Sequence, residues 1–504
     1  MRRLVHLPIL VILMGISALA MYLPAIHGFV TRHYDVSRSF FYSGTLLLVF
    51  AALIGLATAA GGGSRGARNQ LLSLVATFTI LPAFLAVPFW DSVADTSFTR
   101  AWWEMVSSLT TTGGTLYAPE RLVSTLHLWR ALVGWMGGLY FLVLAAAVLA
   151  PMNLGGYEVL SGATAGRGAV VGGEALRGSA PNERIWTVTK LFFPFYGALT
   201  LILWVALLMA GDRPLVALCH AMSTLATSGI SPVGGLAGAR SGVGGEAIIA
   251  VFMVFALSRN LFPRGRTVRG AATLMQDPEL RMAALLVTVV PVLLFLRHWI
   301  AAYEVSDLDN TVASFQALWG AFFSVISFLT TTGFESVDWG SARQWSGLGT
   351  PGLILAGLSV IGGGVATTAG GVKLLRVYVL FRHGEREIER LVHPHSVGGS
   401  GIQARRLRRQ GAQMAWIFFM LFAISIAGTM LALSLTGLDF VSSTVVAVSA
   451  LSTTGPLVTV AAEAPLHWAD LDSVALTISA AAMVLGRLET LALVALLNPA
   501  FWSR

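Results

Sequence analysis

The sequence predicts an all-α polytopic membrane protein. Four fused units of outer helix, short helix and inner helix stand around one pseudo-fourfold axis, and two further helices precede them. Three observations carry this. Of 504 residues, 55% are hydrophobic and only 12% charged, where a soluble domain carries about 25% charged residues. Ten apolar segments approach the roughly 20 residues that a membrane span needs. Four stretches end alike, at intervals of 116, 104 and 122 residues between their glycines: Leu109-Thr110-Thr111-Thr112-Gly113, Leu225-Ala226-Thr227-Ser228-Gly229, Leu329-Thr330-Thr331-Thr332-Gly333 and Leu451-Ser452-Thr453-Thr454-Gly455.

Residues 1–68 hold the first two spans, 4–23 and 40–60. Arg2 and Arg3 precede the first, and Ala18-Leu19-Ala20 has the small-residue spacing of a signal-peptidase site. The apolar run is long enough to span and a second span follows, so both read as retained helices. The first unit, 69–153, has spans at 71–90 and 125–150 around a short element at 98–110. The second, 184–270, has spans at 185–210 and 246–263 around 214–226. The third, 281–381, has 281–300 and 349–381 around 314–330. The fourth, 410–504, has 412–435 and 473–497 around 440–452. The four short elements are too short or too polar to span. Elements of this size are re-entrant candidates, and irregular backbone at membrane depth persists where it lines a water-filled path.

Charge sets the orientation. Lys and Arg concentrate at the N-terminus, in 61–70, 151–190, 259–281 and 373–409, and at the C-terminus, with Arg405, Arg406, Arg408 and Arg409 in one loop. The positive-inside rule therefore places both termini in the cytoplasm. The same loops account for the net charge of +8 without nucleic acid. Asp91, Asp95, Asp307, Asp309 and Asp338 fall on the outer side, where they would concentrate cations near an entrance or simply face solvent. The inner loops 155–182 and 383–410 are too short for a folded cytosolic domain, so nucleotide sensing would need a separate chain. A single cysteine, Cys219, excludes an intrachain disulfide.

The repeated turns have the chemistry of an ion path. A dehydrated cation needs oxygens in place of its water, and rings of backbone carbonyls supply them in channels. Turning successive carbonyls to one axis requires positive φ, which glycine adopts without steric penalty. Neighbouring Thr and Ser hydroxyls can hold or line the turn, and a short helix running into it points its negative end at the ion. One such turn would be an ordinary loop; four in register with the spans are a repeat architecture. The expected site is Thr111, Thr112, Gly113, Thr227, Ser228, Gly229, Thr331, Thr332, Gly333, Thr453, Thr454 and Gly455.

Beyond the turns, two strings stand out: Gly362-Gly363-Gly364-Val365-Ala366-Thr367-Thr368-Ala369-Gly370-Gly371-Val372-Lys373, and Leu485-Gly486-Arg487-Leu488-Glu489 followed by Asn498-Pro499-Ala500-Phe501-Trp502. With the four turns, they make the chain resemble the TrkH-type subunits of the Trk/Ktr/HKT potassium transporter superfamily over essentially its whole length. The two extra N-terminal helices resemble the TrkH branch. The resemblance implies four fused potassium-channel-like repeats in a bacterial inner membrane, a homodimer, and a cytosolic nucleotide-binding (TrkA-like) ring as regulator. It implies potassium as substrate, held as a metal ion by filter carbonyls, with no cofactor and no enzymatic activity. Glycine at all four filter positions implies potassium selectivity, since a serine in the first filter accompanies sodium permeation in related plant proteins. The chain departs from the usual pattern at Gly364, Ala366 and the Gly455-Pro456 ending.

The glycine run breaks the apolar segment 349–381, because each interior glycine costs about 1 kcal/mol against alanine. It reads either as a small-residue packing face or as an intramembrane gate of few contacts beneath the filter, formed by Gly362, Gly363, Gly364, Thr367, Thr368, Gly370, Gly371 and Lys373. It is no phosphate loop, because Leu374 follows Lys373. Arg487 interrupts an apolar stretch. A charge at that depth faces an interior path or snorkels to an interface; the resemblance implies a fixed positive charge in the pore. Cys219, His220 and Trp102-Trp103 lie on short elements, where packing and interfacial anchoring explain them. A secondary symporter coupled to protons or sodium is the alternative. It would show two or three related parts and broken spans rather than four turns.

Overall fold

The fold was analysed in a computed structural model, which describes residues 8–59, 67–152, 154, 181–262, 274–301, 311–348, 350–393, 402–462 and 464–489. Asp307, Asp309, the run 498–502, most of loop 155–182 and the side chains of Arg405, Arg406, Arg408 and Arg409 lie outside the described residues. The described elements are helices and turns.

The N-terminal pair is Ile9–Ala20 with Tyr22–Val30, then Tyr34–Ala59. Both pack on the first unit: Ser17 Oγ meets Tyr140 Oη at 3.1 Å and His27 Nδ1 meets Thr125 Oγ1 at 2.9 Å. In the first unit, Ala67–Thr79 and Leu81–Ser92 form the outer helix, Phe98–Leu109 the short helix, and Ser124–Leu144 the inner helix. That inner helix continues through a π segment, Ala145–Leu149, a local widening of the kind that recurs at functional sites. The second unit is Pro181–Met209, Pro214–Ala226 and Gly242–Met253, the last prolonged by a 3-10 turn, Val254–Ala256. The third is Pro278–Ala301, Thr311–Leu329 and Gly352–Ile361; the fourth is Ile402–Ser434, Phe440–Leu451 and Ser473–Leu488.

Local sequence starts the short helices. Ser97 Oγ accepts the Arg100 N–H at 3.3 Å, Asp439 caps Val441 and Ser442, and Pro214 occupies a first-turn position, where its missing N–H has no helical partner to lose. Twelve residues at 1.5 Å each reach about halfway through a 30 Å hydrocarbon layer. The first and fourth short helices have twelve residues and the second thirteen, while the third, Thr311–Leu329, has nineteen.

The packing is cyclic. The second, third and fourth short helices pack on the inner helices of the first, second and third units, and the first packs on Ser473–Leu488 of the fourth. The chain thus closes four units into one ring.

The expectation of ten long spans is corrected. Among the described residues, seven helices are long and apolar enough to cross a membrane, and the inner helices of units two, three and four are short apolar helices. Each is stopped before it completes a span. Ser258 follows the second in extended conformation, Gly362 ends the third with φ +73°, and Glu489 ends the fourth with φ +61°. The segment 349–381 is accordingly two helices. After a bend, Leu374–Val392 resumes as a polar amphipathic helix with exposed Phe381, Ile388 and Leu391.

Candidate functional site: four glycine turns and the loop beneath them

All four short helices end in the same hydrogen-bonded turn. The N–H of the residue before each glycine donates to a carbonyl five residues back: Thr112 to Ser107, Ser228 to Ser223, Thr332 to Ser327 and Thr454 to Ser449, each at 2.9 Å. Between them one residue takes the left-handed region: Thr111 (φ 58°), Thr227 (53°), Thr331 (56°) and Thr453 (55°). A β-branched residue there is strained and persists only where its surroundings impose it. Hydroxyls tie the turns, with Thr110 Oγ1 to Thr112 Oγ1 and Thr330 Oγ1 to Thr332 Oγ1 at 2.9 Å, and Ser223 Oγ to Ser228 Oγ at 3.0 Å.

The glycines are where the turns meet. A Cβ at Gly113 would sit 1.6 Å from the Ser228 carbonyl oxygen, and one at Gly229 would sit 2.3 Å from that of Thr332. Gly333 faces Pro456 and Thr454, and Gly455 faces Thr112 and Gly114. Turn one thus abuts turn two, two abuts three, three abuts four, and four returns to one. All twelve residues of the site are buried. The fourth turn differs. Gly113, Gly229 and Gly333 have positive φ and Gly455 does not, and its N–H donates to the Thr112 carbonyl at 2.6 Å. Pro456 then opens a five-residue helix, Leu457–Ala461.

The 362–373 loop lies directly under this ring. Gly370 N–H donates to Thr331 Oγ1 at 2.7 Å, Thr368 Oγ1 to the Leu225 carbonyl at 3.1 Å, and a Cβ on Gly370 would meet Ser452 O at 2.1 Å. The expectation of few contacts is corrected. Gly364 N–H bonds Ala256 O at 2.9 Å, Val365 N–H bonds Glu279 Oε1 at 2.7 Å, and Thr367 Oγ1 bonds Ala256 O at 3.0 Å. Val372 and Lys373 N–H groups return to Val360 and Ile361 carbonyls at 2.8 Å. A loop without helical bonds at this depth must find partners for its backbone, and it finds them on three units.

Arg487 is 2% exposed, which removes the interfacial snorkel. Its Nη1 donates to Thr368 O at 2.5 Å, and its guanidinium lies over the Phe141 ring, 4.1 Å from the centroid. Lys373 is equally buried and donates Nζ to Ala369 O. Arg376, over the Phe418 ring, pairs with Glu489 at 2.7 Å. Three buried cations therefore surround the loop, with the carboxylates of Glu489 and Glu279 against them.

Sequence reasoning missed several residues. Ser107, Ser223, Ser327 and Ser449 stand six residues before each glycine, an identity legible in the fourfold comparison. Glu104, which pairs with Arg130 at 2.6 Å and accepts the Leu116 N–H at 3.0 Å, and the Arg376–Glu489 pair carried no such signal. The other residues singled out earlier are structural: Trp103 donates to Ser479 Oγ at 2.9 Å, His220 bonds Ser231 Oγ at 2.9 Å, and Cys219 is buried.

An all-helical membrane fold with four cyclically packed re-entrant units defines a polytopic transport protein. The TrkH family of cation transport proteins matches residues 36–234 and 248–503, and the chain belongs to that family. It is similar to the Trk system potassium uptake protein TrkH of Salmonella typhimurium, 30% identical over 96% of this chain and 95% of the relative. TrkG of Escherichia coli is 25% identical over 94% of this chain and 97% of its own length. The crystal structure of the potassium transporter TrkH from Vibrio parahaemolyticus superposes with TM-score 0.81 at 26% identity, covering 100% of both chains.

Proposed function

We propose that the chain conducts potassium into the cell across the cytoplasmic membrane, through a selectivity filter built from the four glycine turns. The observation that carries this reading is the closed ring of turns, each glycine set against the turn of the next unit, at the C-terminal ends of four helices whose negative poles face the ring. The names of the relatives, potassium uptake proteins, agree with it. Thr111, Thr112, Thr227, Ser228, Thr331, Thr332, Thr453 and Thr454 complete the filter, with units bounded at 69–153, 184–270, 281–381 and 410–504.

The 362–373 loop is the gate. Its backbone fills the space under the ring, and Arg487 and Lys373 place positive charge where a cation would leave. Both termini lie in the cytoplasm, the chain works as a homodimer in lipid, and a cytosolic nucleotide-binding ring docks on the basic stretch 382–409 and biases the loop. Potassium is the substrate and no cofactor is required. Expression in a potassium-uptake-deficient bacterium tests the reading: growth at low external potassium supports it, and a well-expressed chain that gives no growth and no potassium flux in proteoliposomes refutes it.

A further inference from the structure

Each glycine turn is backed by one polar side chain, and the third turn's comes from a neighbouring unit. Glu104 holds Leu116 N–H behind the first turn, His220 holds Ser231 behind the second, and Trp468 Nε1 donates to Gly455 O at 3.0 Å in the fourth. All three belong to the same unit as the turn they support. Behind the third turn stands Glu246, on the inner helix of the second unit. Its Oε1 accepts the Val337 N–H at 2.6 Å, and its Oε2 accepts Trp319 Nε1 at 2.8 Å and Ser336 Oγ at 2.9 Å. Glu246 is 1% exposed. One carboxylate thus bonds the short helix that enters the third turn and the strand of chain that leaves it. Charge-assisted bonds of this kind are shorter and stronger than neutral ones.

The same helix touches the loop at its other end. The carbonyl of Ala256, ten residues on, accepts both Gly364 N–H and Thr367 Oγ1. We infer that Glu246 is a positioning residue for the third turn, setting its ion selectivity, and that the 242–256 helix couples that turn to the 362–373 loop. The inference rests on the proposed filter.

Purified wild type and the variants Glu246→Gln and Trp319→Phe, all full length, would be compared in proteoliposomes for potassium and sodium flux. Amide exchange across 333–338 would be measured alongside. Glu246→Gln replaces one acceptor oxygen with a donor that opposes the existing donors. Trp319→Phe removes one donor and keeps the ring. The expected result is a potassium-to-sodium permeability ratio lowered about fivefold or more in Glu246→Gln, a smaller fall in Trp319→Phe, and faster exchange at 336–337 in both. Thr367→Val should speed exchange across 333–338 in the wild-type background and add nothing in Glu246→Gln. Wild-type ratio and wild-type exchange in folded Glu246→Gln overturn the inference; if that variant does not fold, the same result in Trp319→Phe overturns it. Additive effects of Thr367→Val overturn the coupling. A wild type without potassium flux would refute the proposed function, while exchange at 336–337 still reports whether Glu246 holds the turn.

Discussion

At the residue scale, the site is a set of backbone conformations fixed by close approach. Gly113 has φ +76° and no room for a Cβ against Ser228 O. Gly113→Ser must therefore push turns one and two apart. The expected outcome is a lower potassium-to-sodium ratio in bi-ionic reversal potentials, together with a stability loss of about 1–3 kcal/mol for the strained conformation, seen in thermal unfolding. An unchanged ratio in both Gly113→Ser and Gly333→Ser would remove the filter assignment. Arg487 is the second residue-scale case. Arg487→Ala deletes a buried charge and the bond to Thr368 O, and basal flux should rise at least about tenfold, equal to about 1.4 kcal/mol of barrier. Arg487→Lys keeps the charge and loses the planar stack on Phe141. Flux near wild type in Arg487→Lys assigns the barrier to charge, and flux near Arg487→Ala assigns it to the loop contact.

At the element scale, broken helices do the positioning. The third inner helix stops at Gly362 and restarts at Leu374, and the intervening chain bonds to units two, three and four through backbone groups, hydroxyls and the Arg487 guanidinium. Such a segment holds one position firmly, and moving it requires a partner with a matching preference for the other position. Deleting 363–368 removes the bonds of Gly364, Val365, Thr367 and Thr368 together. Potassium flux in vesicles should rise and its response to the cytosolic ring and nucleotide should fall. A folded deletion with full regulation would make the segment packing rather than gate. The first short helix offers a stability test. Glu104 and Arg130 are paired with side chains 0% and 3% exposed. Glu104→Ala leaves the arginine buried without its partner and should cost about 3–5 kcal/mol, measured by thermal unfolding. The double change Glu104→Leu/Arg130→Leu should recover much of that loss.

At the scale of the whole molecule, the orientation is open to direct measurement. The chain's single cysteine is buried, so engineered surface thiols can be labelled against a quiet background. Asp95 and Glu389 are both exposed. In intact cells a membrane-impermeant maleimide should label Asp95→Cys and label Glu389→Cys only after lysis. The reverse pattern would overturn the cytoplasmic assignment of both termini. The ring itself is a whole-molecule property, since the first short helix closes on the last inner helix across more than 360 residues of sequence.

The sequence by itself determined the membrane class, the four units, their order and the four turns. Hydropathy over 20 residues, cap residues such as Ser97 and Asp439, and a Ser/Thr-Gly spacing repeated four times are local signals, and local signals survive in a linear string. It did not determine where the inner helices stop, because 349–381 and 473–497 are apolar on both sides of Gly362 and Glu489. Whether a helix continues there depends on what backbone partners the neighbouring units offer. Tertiary structure alone decided that the glycine loop bonds to three units, that Arg487 is buried on Phe141, that Glu489 meets Arg376, and that Glu246 reaches into the third unit. Each of these joins residues far apart in the chain, and a buried charge reveals its partner only when folding has removed the water that would otherwise have solvated it.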